Sequence, residues 1–287
     1  MELQVLQEDL SKVLATSIRF ISTRSTLPIL GNFLLIAEKT KLKVQATNLE
    51  MSISTSIGAK VTEEGRVTAP AKTLQELISN LNLGQLNISL DKEQLKIESS
   101  GFTGKLTTTP ANDFPNIPEN ITENGSFSLS SKELISSLSK VLFSASLDET
   151  RPILGGVLFI FEENSLTLVA SDGFRLSQKK IGLTQSLESK RIVIPRSSLI
   201  ELIKVAEKGE NIEFQVRQND NQLIMKVGDV CLASRLIEGE FPNFEKIIPK
   251  SPGTVVALDK RDLSRGVKLA SVFAREEGNV IKLTVTE

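Results

Sequence analysis

The chain has 287 residues, 40% hydrophobic and 24% charged, with a formal net charge of −1; this is an ordinary globular composition, long enough for two or three domains. It contains no histidine, tryptophan or tyrosine and one cysteine, which removes histidine-based triads, imidazole zinc sites, disulfide frameworks and thiolate zinc centres. No global charge draws it to nucleic acid, so any such attraction must come from how the charges are distributed.

The N-terminus, Met1-Glu2-Leu3-Gln4, lacks a basic segment followed by an apolar core, so no secretory signal is expected. No apolar run reaches membrane-spanning length, and a lone Cys231 inside Val230-Cys231-Leu232-Ala233 reads as a buried strand residue in a reducing cytoplasm. A short strand over Leu3–Val5 leads into an amphipathic helix with Leu10, Val13, Leu14 and Ile18 at helical spacing and Asp9 as its N-cap. Alternating strands follow, as in Leu42, Val44 and Ala46. After Pro70 comes a second helix, marked by Leu74, Leu77, Ile78 and Leu81, then antiparallel strands joined at Leu90-Asp91-Lys92-Glu93.

The same order then recurs. A strand over Phe127–Leu129 leads to a helix with Leu134, Ile135, Leu138 and Leu142, capped by Ser130 or Ser131; Val157, Phe159 and Phe161 alternate; and a helix after Pro195 carries Leu199, Leu202, Ile203 and Ala206. Thr26-Leu27-Pro28-Ile29-Leu30-Gly31 reappears as Thr150-Arg151-Pro152-Ile153-Leu154-Gly155, Ala46-Thr47-Asn48 as Ala170-Ser171-Asp172, and Phe114-Pro115-Asn116 as Phe241-Pro242-Asn243. Ordered matches over a whole domain length identify a tandem repeat. Each unit is predicted to be α+β, two helices packed on one face of an antiparallel sheet. Linkers near Pro118–Gly125 and Pro249–Gly253 divide the chain into domains 1–120, 121–250 and an incomplete 251–287. In the last, Val256-Ala257-Leu258 and the alternating Ile281–Val285 read as strands around a helix, and the repeat length predicts roughly 85–90 further residues for a whole unit.

The predicted helices are more basic than the rest. Residues 259–275 carry Lys260, Arg261, Arg265, Lys268 and Arg275 against Asp259 and Asp262; the five helices together hold a net +6, leaving −7 for strands and loops. If the helices share one face, that face suits a phosphate backbone without base readout. No aromatic residue lies among these positions, so base stacking is not indicated. The acids are dispersed, with no converging pair for general acid–base work, and the chain reads as a binding scaffold and not an enzyme.

Several ordered motifs resemble the bacterial sliding clamp family, the beta subunit of DNA polymerase III. They are Arg24–Asn32 (RSTLPILGN), Thr47-Asn48-Leu49-Glu50-Met51, Pro110–Asn116 (PANDFPN), Ala170–Leu176 (ASDGFRL), and Glu238–Phe244 (EGEFPNF) followed by Ile248-Pro249. The resemblance implies repeated clamp domains with helices lining a central hole, in a head-to-tail homodimer that encircles double-stranded DNA without sequence preference. It implies no cofactor, no metal and no membrane association. Its partners would be the polymerase III catalytic subunit, the clamp loader and repair polymerases, bound through linear peptide motifs.

By position, the family's DNA contacts fall on Arg24, Lys72, Arg151 and Arg196. Its peptide pocket falls on Leu154, Ser171, Gly173, Phe174, Arg175, Leu176, Pro242 and Ile247. Phe174 departs from the histidine of many members. Asp148 stands where some relatives have a polar DNA contact, and a carboxylate there would repel phosphate. The subunit contact would involve the edge strand at Lys105, Leu106 and Thr107. Part of the pocket and of the complementary surface belongs, in the family, to the later part of the third domain. The chain as given is therefore expected not to close a ring, leaving a peptide-binding module as the alternative reading.

Overall fold

A computed structural model describes residues 1–22, 27–122, 125–206, 211–249, 251, 253–276 and 278–285. The first repeat runs β1 (Glu2–Leu6), α1 (Gln7–Ser17), β2 (Asn32–Glu38), β3 (Lys41–Thr47), β4 (Met51–Gly58), β5 (Lys60–Glu63), β6 (Gly65–Pro70), α2 (Ala71–Asn80), β7 (Gln85–Asp91), β8 (Gln94–Ser99) and β9 (Phe102–Thr107). The second runs β10 (Ser126–Ser130), α3 (Ser131–Leu138), β11 (Gly156–Glu162), β12 (Ser165–Ser171), β13 (Leu176–Gly182), β14 (Lys190–Pro195), α4 (Arg196–Ala206), β15 (Asn211–Arg217), β16 (Gln222–Val227) and β17 (Val230–Arg235). Both repeats lie in one compact unit, Met1–Phe241, while Pro242–Glu287 forms another that holds α5 (Lys260–Ala274).

The helices form where the apolar spacing predicts but end sooner: Ile18 and Leu142 lie in short 3-10 turns after α1 and α3, and Leu81 lies just past α2. Leu10 and Leu14 of α1 are buried, as are Leu74 and Ile78 of α2, so each helix turns one stripe inward. The two pack together, as α3 does with α4. The predicted cap is displaced. Asp9 lies inside the first turn of α1, and the cap position is Leu6, because β1 runs straight into the helix. Its first amide is met by tertiary contact: Gln7 N donates to Gly84 O at 2.8 Å. Ser130 caps α3 in backbone geometry but makes no side-chain cap bond.

The sheets are not one per repeat, as the sequence suggests. There are three among the described residues, with strand orders β5-β1-β7-β8-β9, β10-β15-β16-β17-β4-β3-β2-β6 and β13-β12-β11-β14. The central one is continuous across both repeats, because β17 pairs antiparallel with β4 from Val230↔Thr55 to Ser234↔Met51. Joining them removes two open edges at once.

Period-2 alternation sorts the faces of this long sheet. Phe33, Leu35, Leu223, Met225 and Leu232 belong to the core shared with the helices. Leu34 points the other way and packs with Ala111, Phe114 and Ile117, and Ile224, Cys231 and Ala233 do so with Ile121. The connector between repeats therefore lies across the face opposite the helices. Its Glu119 accepts from Lys43 Nζ and Gln45 Nε2, both at 2.8 Å.

In the second unit Asp259 caps α5, its Oδ1 accepting from Arg261 N at 2.8 Å and Asp262 N at 3.1 Å. The strands expected at Val256–Leu258 and Ile281–Val285 are not formed. An extended segment needs a neighbour for its backbone groups, and among the described residues neither pairs with a strand.

Candidate peptide-binding turn and basic helix face

Two turns, one per repeat, are built alike. In the second repeat β12 ends at Ser171, whose Oγ accepts from Gly173 N at 3.1 Å and donates to Arg175 O at 2.8 Å. Asp172 Oδ1 accepts from Phe174 N and Arg175 N, both at 3.0 Å. In the first repeat Thr47 Oγ1 accepts from Leu49 N at 3.0 Å and donates to Met51 O at 2.9 Å. Asn48 Oδ1 accepts from Glu50 N at 3.0 Å and Met51 N at 2.8 Å. The third residue is left-handed in both, Gly173 at φ +92° and Leu49 at φ +73°. The repeat thus preserves a hydrogen-bond pattern while changing the side chains it displays.

What the second turn displays differs. Phe174 is 95% exposed. Arg175 Nε donates to Asp172 Oδ2 at 2.9 Å, and the guanidinium carbon lies 5.7 Å from the centroid of the half-exposed Phe143 ring. The backbone amides of Phe174 and Arg175, then the Arg175 side chain, hold the Asp172 carboxyl below its ordinary value of 3.8. A Cβ at Gly173 would come 3.2 Å from Arg151 Nη1. Arg151, expected with the DNA-contacting group, thus stands against this turn.

Leu154 is buried at the end of a short 3-10 turn, Pro152–Gly155, and Ser171 is buried while Leu176 is half-buried. Five of the eight expected pocket residues, Ser171, Gly173, Phe174, Arg175 and Leu176, therefore lie on one turn of the first unit, and Leu154 lies in the short turn that follows Arg151. Pro242 and the exposed Ile247 belong to the second unit, the latter closing the 3-10 turn Phe244–Ile247. Sequence reading missed Asp172 and Phe143 as parts of the site. The first had a signal, the Asn48/Asp172 match; Phe143, in an apolar helical run, had none.

Of the expected DNA contacts, Arg24 lies outside the described residues. Lys72 is exposed in the first turn of α2. Arg196 opens α4 and lines a cleft of about 570 Å³ whose wall also carries the acidic residues Glu50, Asp148, Glu149 and Glu201. Asp148 is itself fixed, its Oδ1 accepting from Thr150 Oγ1 at 2.7 Å and Thr150 N at 2.9 Å, bonds that lower its pKa. Part of the helical charge is neutralised: Lys12 pairs with Glu8, and Arg19 and Lys204 both pair with Glu201. Among the described residues Lys72, Lys132, Lys140 and Arg196 form no ion pair. Lys105, Leu106 and Thr107 lie on β9, which among the described residues pairs only with β8 and is an edge of its sheet.

Comparison with known proteins agrees with this architecture. The model for the N-terminal domain of the DNA polymerase III beta subunit matches residues 1–118, and that for its central domain residues 128–243. The chain is 30% identical over 288 residues to the beta sliding clamp of Proteus mirabilis, covering 100% of this chain and 78% of that one. It is 30% identical over 289 residues to the clamp of Escherichia coli K12, with the same coverage. A solved structure of a DNA polymerase III beta subunit from Eubacterium rectale superposes with a TM-score of 0.90 at 26% identity, over 96% of this chain and 76% of that one. A Pseudomonas aeruginosa sliding clamp bound to griselimycin gives 0.88 at 25% identity, over 95% and 74%. The fold class expected from the sequence, repeated clamp domains of few helices on antiparallel sheets, is that of these structures, and the chain belongs to the beta sliding clamp family, the beta subunits of DNA polymerase III.

Proposed function

We propose that the chain is a non-catalytic DNA sliding clamp of the cytoplasm, which holds the replicative polymerase and its accessory proteins on duplex DNA through a peptide-binding pocket. The observation that carries this reading is the continuous sheet through β4 and β17, with the helices of both repeats packed on one face. Lys72, Lys132 and Lys140 give that helical layer cations without a carboxylate partner among the described residues, suited to loose, sequence-independent phosphate contact. Arg24 and Arg196 would add to it, Arg196 less so because Asp148, Glu149 and Glu201 share its cleft.

The pocket would be the Ser171–Leu176 turn with Leu154, and family position assigns Pro242 and Ile247 to it as well. Phe174 and the Phe143–Arg175 pair offer apolar and aromatic contact beside a fixed charge, which suits a short motif with leucine or phenylalanine anchors. Arg151 acts here by bracing the turn. The β9 edge at Lys105, Leu106 and Thr107 would meet a second subunit in a head-to-tail homodimer. The polymerase III catalytic subunit, the clamp loader and repair polymerases are the partners proposed for the pocket.

Loading onto a nicked circular plasmid by a clamp loader, followed by gel filtration, tests the whole reading. Co-elution with the circle that disappears when the plasmid is linearised would bear out this reading and overturn the expectation that the chain as given closes no ring. Equal retention on both forms would mean ordinary electrostatic binding. Peptide binding without retention on either would leave an interaction module that does not encircle DNA.

A further inference from the structure

The two repeats differ at one place where their sequences give no reason to look. In the first, β1 has a neighbour on each side, β7 and β5. In the second, β10 occupies the place of β1 but, among the described residues, pairs only with β15. No described strand covers its other side.

The direction of the backbone groups follows from the first repeat. Leu90 N donates to Met1 O and Gln7 N to Gly84 O, so the odd-numbered residues of this stretch face β7. Glu2, Gln4 and Leu6 then face β5, and Thr62 Oγ1 donates to Glu2 O at 3.1 Å from that side. One repeat length on, Ser128 and Ser130 face away from β15. A side chain reaches across to them: Gln185 Nε2 donates to Ser128 O at 3.0 Å, standing where the first repeat has a strand.

The segment that would have filled the place is held elsewhere. Leu183 N donates to Asn164 O at 2.9 Å and Leu187 N to Glu163 O at 3.1 Å, tying residues 183–187 to the turn between β11 and β12. A cavity of about 340 Å³ remains between this segment and β10, lined on its apolar side by Leu129, Leu134, Ile181 and Leu183. In the first repeat the corresponding strand sends Val61 onto the core, opposite Leu3, while Lys60 and Glu63 stay in solvent.

From this we infer that the open side of β10 is a strand-addition site. Its occupant is a short extended segment of another protein, one β-branched aliphatic residue among polar neighbours, lying antiparallel to β10 as β5 lies against β1. Main-chain bonds to Ser128 and Ser130 supply the affinity, and the apolar cavity selects the aliphatic residue. The segment displaces the Gln185 side chain from Ser128 O. This site is separate from the Ser171–Leu176 turn and does not depend on its role.

The test uses the full chain and, as probe, a synthetic peptide with the sequence of residues 58–65, with a scrambled version as control. Saturable binding is expected in the high micromolar to millimolar range, with slowed hydrogen exchange at the Ser128 and Ser130 amides. Ser128→Pro removes an outward N–H while sparing the ladder to β15, which runs through Phe127 and Leu129. It is expected to weaken binding about fivefold or more, the equivalent of one hydrogen bond, with the melting temperature little changed. Gln185→Ala removes the competing donor and is expected to tighten binding. Absence of saturable binding, binding indifferent to both substitutions, or exchange protection confined to other strands would each overturn the proposal. Should Ser128→Pro fail to fold, the opposite sign expected of Gln185→Ala and the site of exchange protection decide the matter.

Discussion

Asn48 and Asp172 do the same work with different chemistry. Each accepts two backbone amides through Oδ1, but only the carboxylate also pairs with an arginine, Arg175. Asp172→Asn should therefore keep the turn and lose only the ion pair, shifting peptide affinity by a few-fold. Asp172→Ala removes the acceptor as well and should cost about 1 kcal/mol or more of turn stability; a peptide titration of both variants separates the two effects. The depressed pKa of Asp172 fixes the pH window. The turn's stabilisation is complete above the ordinary carboxyl value of 3.8 and is lost as pH falls below it through the lowered folded value. Peptide affinity should thus be flat near neutrality and fall only in strong acid. Gly173→Ala meets both a left-handed φ and the Arg151 guanidinium, at an expected cost of about 1–2 kcal/mol. Cys231 is 3% exposed and burial pushes its thiol up to about 11. A thiol reagent should label it only when the protein unfolds.

Helix positions were legible because their apolar spacing is a local property. Leu10 with Leu14 and Leu74 with Ile78 announce buried stripes whatever they pack against. Strand pairing was not legible in the same way. Nothing in Met51–Gly58 or Val230–Arg235 alone says that the two repeats share one sheet, since partner choice is set by tertiary proximity. The Ser171–Leu176 turn was readable as a repeated element through the Ser171/Thr47 and Asp172/Asn48 pairs, and only the family resemblance pointed to it as a pocket; Phe143 was not readable, because an aromatic residue in an apolar run looks like core. At this scale the repeats are also joined by Arg19 Nε and Glu201 Oε2 at 2.5 Å, where the Glu201 side chain is 12% exposed and that of Arg19 32%. A double-mutant cycle on Arg19→Ala and Glu201→Gln should give a coupling of about 1 kcal/mol, discounted for the exposure of the arginine and for Lys204, which shares the carboxylate.

For the molecule as a whole, DNA contact should be electrostatic and diffuse. Replacing Lys72, Lys132 and Lys140 together by glutamine should weaken association with duplex DNA uniformly across sequences. The dependence on salt should become shallower by up to about 0.9 in log–log slope for each phosphate that is no longer neutralised. Replacing Asp148 by asparagine should act in the opposite direction. Measured binding isotherms at several salt concentrations check both.

The connector that crosses the far face of the central sheet has a bearing on folding. Its residues Phe114, Ile117 and Ile121 are packed against strands of both repeats, and β4, paired on one side with β3, finds its other neighbour only in β17 of the second repeat. Neither half can melt without exposing the other, so the described repeats should unfold in one cooperative transition by calorimetry, with no stable half-molecule between. One half produced without the other, ending or beginning within residues 118–125, would bare the edge of β4 or β17 and should associate through it. Repetition here has built one sheet and one core out of two copies.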